Sequence, residues 1–93
     1  MLAHVVLMTF GDAADAAKAK ELLEGLAGEV PQIRTLDVRL DELRTPVSAH
    51  LVMTSTHDDA DGLLGYQQHP AHLEVAAWLR PRLAARTVVD YTI

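Results

Sequence analysis

Cysteine is absent from the 93 residues of this chain. Disulfide bonds and thiolate-ligated metal sites are therefore excluded, and the sequence carries no mark of an oxidising or a reducing compartment. Aromatic residues are also scarce, at 4% of the chain, whereas apolar residues make up 49%. Because so large an apolar fraction is typical of a folded core, the composition predicts a single compact domain over residues 1–93.

Basic residues are few and scattered. Eight Lys and Arg stand against thirteen Asp and Glu, which gives a formal net charge of −5. Nucleic acids and anionic membrane surfaces are bound by clustered Lys and Arg, so the sequence predicts neither as a partner. The apolar run from Leu2 to Phe10 has no basic lead and is too short to span a bilayer. We therefore expect a soluble cytoplasmic protein.

Hydrophobic periodicity predicts four strands and three helices. In chain order they are a strand over 2–10, a helix over 13–27, strands over 33–40 and 47–56, a short helix over 58–66, a helix over 70–85 and a strand over 87–93. This β-α-β-β-α-β order is that of a ferredoxin-like α+β sandwich. In that fold, helices cover one face of a four-stranded antiparallel sheet.

The first predicted strand is apolar on both of its faces. One face carries His4, Val6, Met8 and Phe10, and the other carries Ala3, Val5 and Leu7. A sheet with one face in water should instead alternate apolar and polar residues. Since the predicted helices suffice to cover only one face, we expect a second copy of the chain to cover the other. The result would be a homodimer that packs through the open sheet face.

The segment from Tyr66 to His72 places a phenol and two imidazoles where a helix begins. Pro70 suits the first helical position, so His69 falls at the cap and His72 in the first turn. The positive end of the helix dipole disfavours an imidazolium, so we expect His72 to stay neutral near pH 7, as a general base must. Tyr66 supplies a hydroxyl that can hydrogen-bond a substrate carbonyl or enolate.

Each of these residues also has a structural interpretation. An imidazole at a helix start often caps backbone groups, and we favour that interpretation for His69. For Tyr66 and His72 both interpretations stay open, and for His4 we favour a hydrogen-bonded core histidine. His69 and His72 have i, i+3 spacing, but no third ligand obviously converges on them, so we predict no metal site.

Three further polar side chains are expected outside the site. We expect His50 and His57 at the dimer face or at its rim. Asp90, in the last strand, is expected to face solvent or a dimer contact.

Three motifs together resemble the stress-responsive dimeric α/β-barrel (Dabb) family over essentially the whole chain. They are His4-Val5-Val6-Leu7, Tyr66-x-x-His69-Pro70-x-His72 and Val88-Val89-Asp90-Tyr91. The resemblance implies a ferredoxin-like domain that forms a dimeric α/β barrel. A plant polyketide cyclase of this family performs an intramolecular aldol condensation without a metal or organic cofactor. The resemblance therefore implies that His72 is the base, that Tyr66 assists it, that His4 joins the site, and that no cofactor is needed.

The resemblance also implies an apolar substrate-binding lining. Its residues here are Val6, Met8, Leu22, Leu26, Val75 and Leu83. The plant cyclase lines its pocket with several aromatic residues, whereas this chain has one Phe, one Trp and two Tyr. The substrate therefore stays open, beyond the expectation of a small apolar or β-keto ligand.

Different classes of function follow from the resemblance. One is a cofactor-free cyclase, lyase or isomerase that abstracts a proton next to a carbonyl. The alternative is a non-catalytic homodimer that serves in stress response or binds a small apolar ligand. A third hypothesis is a haem-handling monooxygenase of the wider dimeric-barrel superfamily.

Overall fold

The computed structural model describes all residues from Met1 to Ile93. Its elements are β1 (Leu2–Phe10), α1 (Asp15–Glu24) with a 3₁₀ turn after it (Gly25–Gly28), β2 (Thr35–Leu40), β3 (Leu51–His57), α2 (Ala60–Gln68), α3 (Pro70–Leu79) and β4 (Leu83–Thr92). The four strands form one antiparallel sheet in the order β2-β3-β1-β4. The predicted ferredoxin-like α+β fold is confirmed.

The largest errors in the predicted element boundaries lie at the start of β3 and at the junction of α3 and β4. Residues 47–50 precede β3 instead of opening it, because the chain turns where Ser48 donates its backbone N–H to the carbonyl of Thr45. The last helix ends at Leu79 instead of running to residue 85. Pro81 follows shortly afterwards and cannot continue a helix, so Leu83 already belongs to β4.

The core lies between the helices and the face of the sheet that carries His4, Val6 and Met8. Val6 and Met8 are almost completely buried there, together with Leu23 of α1 and Tyr66 of α2. The alternation of β1 groups His4, Val6 and Met8 on one face, and the structure places that face against the helices. None of the helices combines the length and the apolar character needed to cross a membrane.

The opposite face of the sheet leaves large apolar side chains in solvent. Leu7 of β1 is 42% exposed, and Val89 and Tyr91 of β4 are 58% and 51% exposed. Each of these residues lies on the face away from the helices, since Val89 and Tyr91 are paired with Val5 and Ala3 in the register of β1 and β4. The isolated chain therefore presents an uncovered apolar patch on its sheet.

Candidate functional site

A cavity of about 350 Å³ lies between the sheet and the α2–α3 pair. It brings together the three predicted catalytic residues, His4 from β1, Tyr66 from α2 and His72 from α3. Most of the remaining wall is apolar, but the guanidinium groups of Arg80 and Arg86 also line it. A cavity of this size with a few converging polar groups is within the range of small-molecule sites.

Tyr66 is held at the inner wall of the cavity by the helix that carries it. α2 begins at Asp59, whose carboxylate accepts the backbone N–H of Gly62 at 2.8 Å and caps the helix. The Tyr66 side chain is fully buried, and its hydroxyl donates to Sδ of Met53 at 3.8 Å. Because thioether sulfur is a weak acceptor, this hydroxyl has no strong protein partner.

Burial raises the pKa of Tyr66 to about 12, and the nearby positive charge of Arg86 opposes that rise. Tyr66 is therefore a protonated hydrogen-bond donor at neutral pH. Its ring lies between two imidazoles. The ring of His57 stacks on it with 5.1 Å between centroids, and the ring of His72 meets it edge-on at 4.6 Å.

The two histidines of the α3 start have separate tasks. His69 Nδ1 accepts the backbone N–H of Ala71 at 3.0 Å, and Pro70 occupies the first helical position, so His69 is the cap that the sequence predicts. His72 turns inward, and its buried Nδ1 has no hydrogen-bond partner.

The environment of His72 favours its neutral form. Burial lowers the pKa of His72. The backbone carbonyl of Gln67 raises it, and the positive charge of Arg86 lowers it further. An uncharged imidazole that lines the cavity can accept a proton, as a general base must.

His4 is paired with a carboxylate that the sequence analysis assigned to solvent or to a dimer contact. Asp90 lies directly opposite His4 in the register of β1 and β4, and its Oδ1 is 2.5 Å from His4 Nδ1. The Asp90 side chain is 43% exposed, in agreement with the expectation that it faces solvent, but the sequence did not predict its contact with His4. With Nδ1–H donated to Asp90, the Nε2 atom of His4 is the ring nitrogen left for the cavity.

The expected position of His57 at the dimer face or rim is wrong. His57 is fully buried on the helix-covered face of β3. Its Nδ1–H donates to the carbonyl of Gln32 at 2.8 Å, and its Nε2 accepts from the Ser55 hydroxyl at 2.9 Å. Burial lowers its pKa, in keeping with this neutral tautomer. Continuing the alternation of Leu51 and Met53 along β3 would have placed Ser55 and His57 inward.

His50 lies outside this cavity. Its Nδ1 accepts the backbone N–H of Phe10 at 2.9 Å, and the two rings stack with 6.2 Å between centroids. His50 therefore ties the loop before β3 to the end of β1.

The structure divides the predicted substrate-binding residues among three places. Met8 and Leu83 line the cavity with the catalytic candidates. Leu22, Leu26 and Val75 line a different groove of about 350 Å³ beside Trp78, and Val6 is buried in the core. On α1 it is Leu23, one residue after Leu22, that faces the cavity, because each helical residue turns the side-chain direction by about 100°.

Comparison with known proteins agrees with this architecture. The sequence matches the family model of the stress-responsive A/B barrel domain (Dabb) over residues 2–93. The stress-response A/B barrel domain-containing protein HS1 of Arabidopsis thaliana is 30% identical over 95 residues, which cover 95% of this chain and 85% of the plant protein.

Solved structures show the same fold. A dimeric ferredoxin-like protein of unknown function from Bacteroides fragilis has a TM-score of 0.86 at 25% identity, covering 99% of this chain and 95% of its own. A hydroxynitrile lyase from Passiflora edulis has a TM-score of 0.82 at 17% identity, covering 99% and 92%. The match to the family model spans nearly every residue, including the strands and helices that build the cavity. This chain belongs to the stress-responsive A/B barrel domain (Dabb) family.

Proposed function

We propose that this chain is a cofactor-free enzyme that removes a proton next to a carbonyl, in the manner of a polyketide cyclase, a lyase or an isomerase. His72 is the general base, Tyr66 is the hydrogen-bond donor to the carbonyl oxygen, and His4 is a second imidazole held by Asp90. The substrate is a small apolar or β-keto compound.

The observation that carries the proposal is the pairing of Tyr66 and His72 in one cavity. The His72 ring lines the cavity and its pKa is lowered by burial, so it is neutral near pH 7, while the Tyr66 hydroxyl is protonated and has only a thioether as its acceptor. A base and a donor thus lie in one cavity, and their ring centroids are 4.6 Å apart. This is the combination that enolate formation needs, since one group takes the proton and the other stabilises the oxyanion.

The proposed reaction begins when His72 takes the proton from the carbon next to the carbonyl. The electron pair of that C–H bond forms the carbon–carbon double bond of the enolate, and the π pair of the carbonyl moves onto its oxygen, which accepts a hydrogen bond from the Tyr66 hydroxyl. The enolate carbon then attacks a second carbonyl, expels a leaving group or is reprotonated, according to the substrate. His4, whose ring Asp90 orients, is placed to exchange a proton with the new oxygen or leaving group. The Passiflora hydroxynitrile lyase, which shares the fold, is consistent with a lyase on this scaffold.

The proposal includes a homodimer that packs through the open sheet face. The exposed Leu7, Val89 and Tyr91 on that face support it, because a second copy would bury them. The dimeric state of the Bacteroides fragilis protein of the same fold supports it as well.

Deuterium exchange tests the proposed activity. The methyl ester of β-ketooctanoate is dissolved in deuterium oxide near neutral pH, and loss of its α-proton signal is followed by NMR with and without protein. We expect faster exchange with protein, and we expect His72→Ala to reduce the excess rate by about 10²- to 10⁴-fold. His69→Ala is the matched control, since it alters the neighbouring helix cap and should keep the excess rate.

An unchanged excess rate in His72→Ala would contradict the assignment of the base. Saturable binding of the ester with no excess exchange would instead favour the non-catalytic alternative, a homodimer that binds a small apolar ligand in the same cavity.

A further inference from the structure

The two arginines that line the cavity lack acidic partners. Neither the Arg80 nor the Arg86 guanidinium takes part in a salt bridge or a side-chain hydrogen bond, and no Asp or Glu is among the residues that line the cavity. In contrast, Arg34 and Arg39 are paired with Asp58 and Asp37. In a chain with a net charge of −5, the cavity therefore combines free positive charge with an absence of acidic lining.

The fold places both arginines beside the reacting groups. Arg86 lies opposite Met8 in the register of β1 and β4, so its side chain is on the helix-covered face of the sheet. Arg80 directly follows the last residue of α3. The charge of Arg86 acts on both Tyr66 and His72, and the charge of Arg80 acts on His72. Both arginines are exposed, so they form the solvent end of a cavity whose inner end is Tyr66.

Arg82, which lies between these two arginines in the sequence, is not part of the cavity wall. Its guanidinium lies 4.2 Å from the ring centroid of Trp78, and its Nη1 donates to the Trp78 carbonyl at 2.7 Å. The guanidinium of Arg82 is therefore bound to the C-terminal end of α3, whereas those of Arg80 and Arg86 have no side-chain partner.

We propose that Arg80 and Arg86 bind an oxyanion of the substrate, a carboxylate or a phosphate, at the mouth of the cavity. A guanidinium matches either group through two parallel hydrogen bonds. Held there, the substrate extends its apolar chain inward and brings its carbonyl to Tyr66 and His72. This inference rests on the proposed function. It narrows the substrate class from any small apolar or β-keto compound to one that carries a negative charge.

The test compares ligands that differ in their charged group. β-Ketooctanoate, its uncharged methyl ester and octyl phosphate are titrated into the protein, and the NMR signals of the His72 and Tyr66 rings report binding. We expect each anion to bind at least about 10-fold more tightly than the ester, a difference of about 1.4 kcal/mol. Tighter binding of the carboxylate or of the phosphate identifies which oxyanion the site prefers.

The variants assign the effect to the two arginines. The double variant Arg80→Gln with Arg86→Gln should lose the preference for anions and still bind the ester like the wild type, while Arg82→Gln should keep the preference. Equal binding of ester and anions by the wild type, or a preference that survives in the double variant, would overturn the role of the arginines and leave the proposed function standing. If no ligand shifts the His72 or Tyr66 signals, the inference and the proposed function fail together.

Discussion

His4 on β1 and Asp90 on β4 are neighbours across the sheet although 86 positions separate them in the chain, and their Nδ1 and Oδ1 atoms are 2.5 Å apart. The carboxylate accepts a hydrogen bond from the Nδ1–H of His4, which leaves Nε2 as the ring nitrogen available to the cavity. A buried imidazole is thus oriented by a half-exposed carboxylate at the edge of the sheet. This arrangement recurs where a protein needs a histidine of defined tautomer and direction.

Removing the Asp90 carboxylate should destabilise the protein and release the His4 ring. Asp90→Ala leaves a buried N–H without its acceptor, and we expect the free energy of unfolding to fall by about 1 kcal/mol. Asp90→Asn keeps a carbonyl acceptor, so its free energy of unfolding should fall by less. Denaturant unfolding measures the stability, and ¹⁵N NMR of the His4 ring reports its tautomer. Glu42→Ala removes an exposed carboxylate elsewhere and should change stability by less than about 0.5 kcal/mol. A His4 tautomer that is unchanged in Asp90→Ala would count against the pairing.

The substitution Tyr66→Phe should separate the contribution of the hydroxyl from that of the ring. The phenyl ring still fills the space between His57 and His72, and only a weak bond to Met53 is lost, so stability should change by less than about 0.5 kcal/mol. Loss of the donor to the developing oxyanion should lower the proton-exchange rate by about 10²-fold. Tyr91→Phe removes the other tyrosine hydroxyl of the chain, which does not line the cavity, and should leave the proton-exchange rate unchanged. Full activity in Tyr66→Phe would show that the hydroxyl has no part in the reaction.

Stability should fall as the pH drops below the ordinary histidine pKa of about 6.5. Burial lowers the pKa of both His57 and His72 in the folded protein, so the unfolded chain binds more protons in this range. Their contribution is therefore complete above about pH 6.5 and is lost as the pH falls through the lowered folded values. The contribution of Asp58, whose pKa its hydrogen bond to Arg34 lowers, stays constant above its ordinary value of 3.8 and is lost only below that value, so it does not affect the slope near pH 6.

Urea unfolding between about pH 7.5 and about pH 5 measures this slope. Replacement of either histidine by Gln should make the slope shallower, because one of the two titrating groups is gone. A slope that neither His57→Gln nor His72→Gln alters would show that other groups cause the acid sensitivity.

Disrupting the open sheet face should yield monomers. Leu7→Lys places a charge in the middle of the patch that the second copy is proposed to cover, and we expect the dissociation constant of the dimer to rise by at least about 10-fold. Sedimentation velocity over a range of concentrations measures this change. Leu64→Lys alters a similarly exposed leucine on α2, away from the sheet face, and should leave the association unchanged. A wild-type chain that sediments as a monomer throughout would rule out this interface.

Local patterns predicted much of the fold and part of the site. Alternation along β1 correctly groups His4, Val6 and Met8 on one face, and Pro70 after His69 correctly marks a capped helix start. Patterns of this kind depend on residues two to four positions apart within one element. They fail where a helix-breaking residue interrupts the pattern. The apolar spacing predicts a helix to residue 85, but Pro81 cannot continue a helix, so α3 ends at Leu79 and β4 begins at Leu83.

The sequence by itself determined the order of the elements, which residues of β1 share a face, the His69 cap and the family. The tertiary structure alone decided that Asp90 meets His4, because the register of β4 against β1 depends on contacts between the two ends of the chain. It also decided which leucines face the cavity and that Arg86 points into it, because the roll of a helix and the pairing of strands are set by packing against distant residues. A local pattern tells which side of an element is apolar, and only the packed fold tells what that side meets.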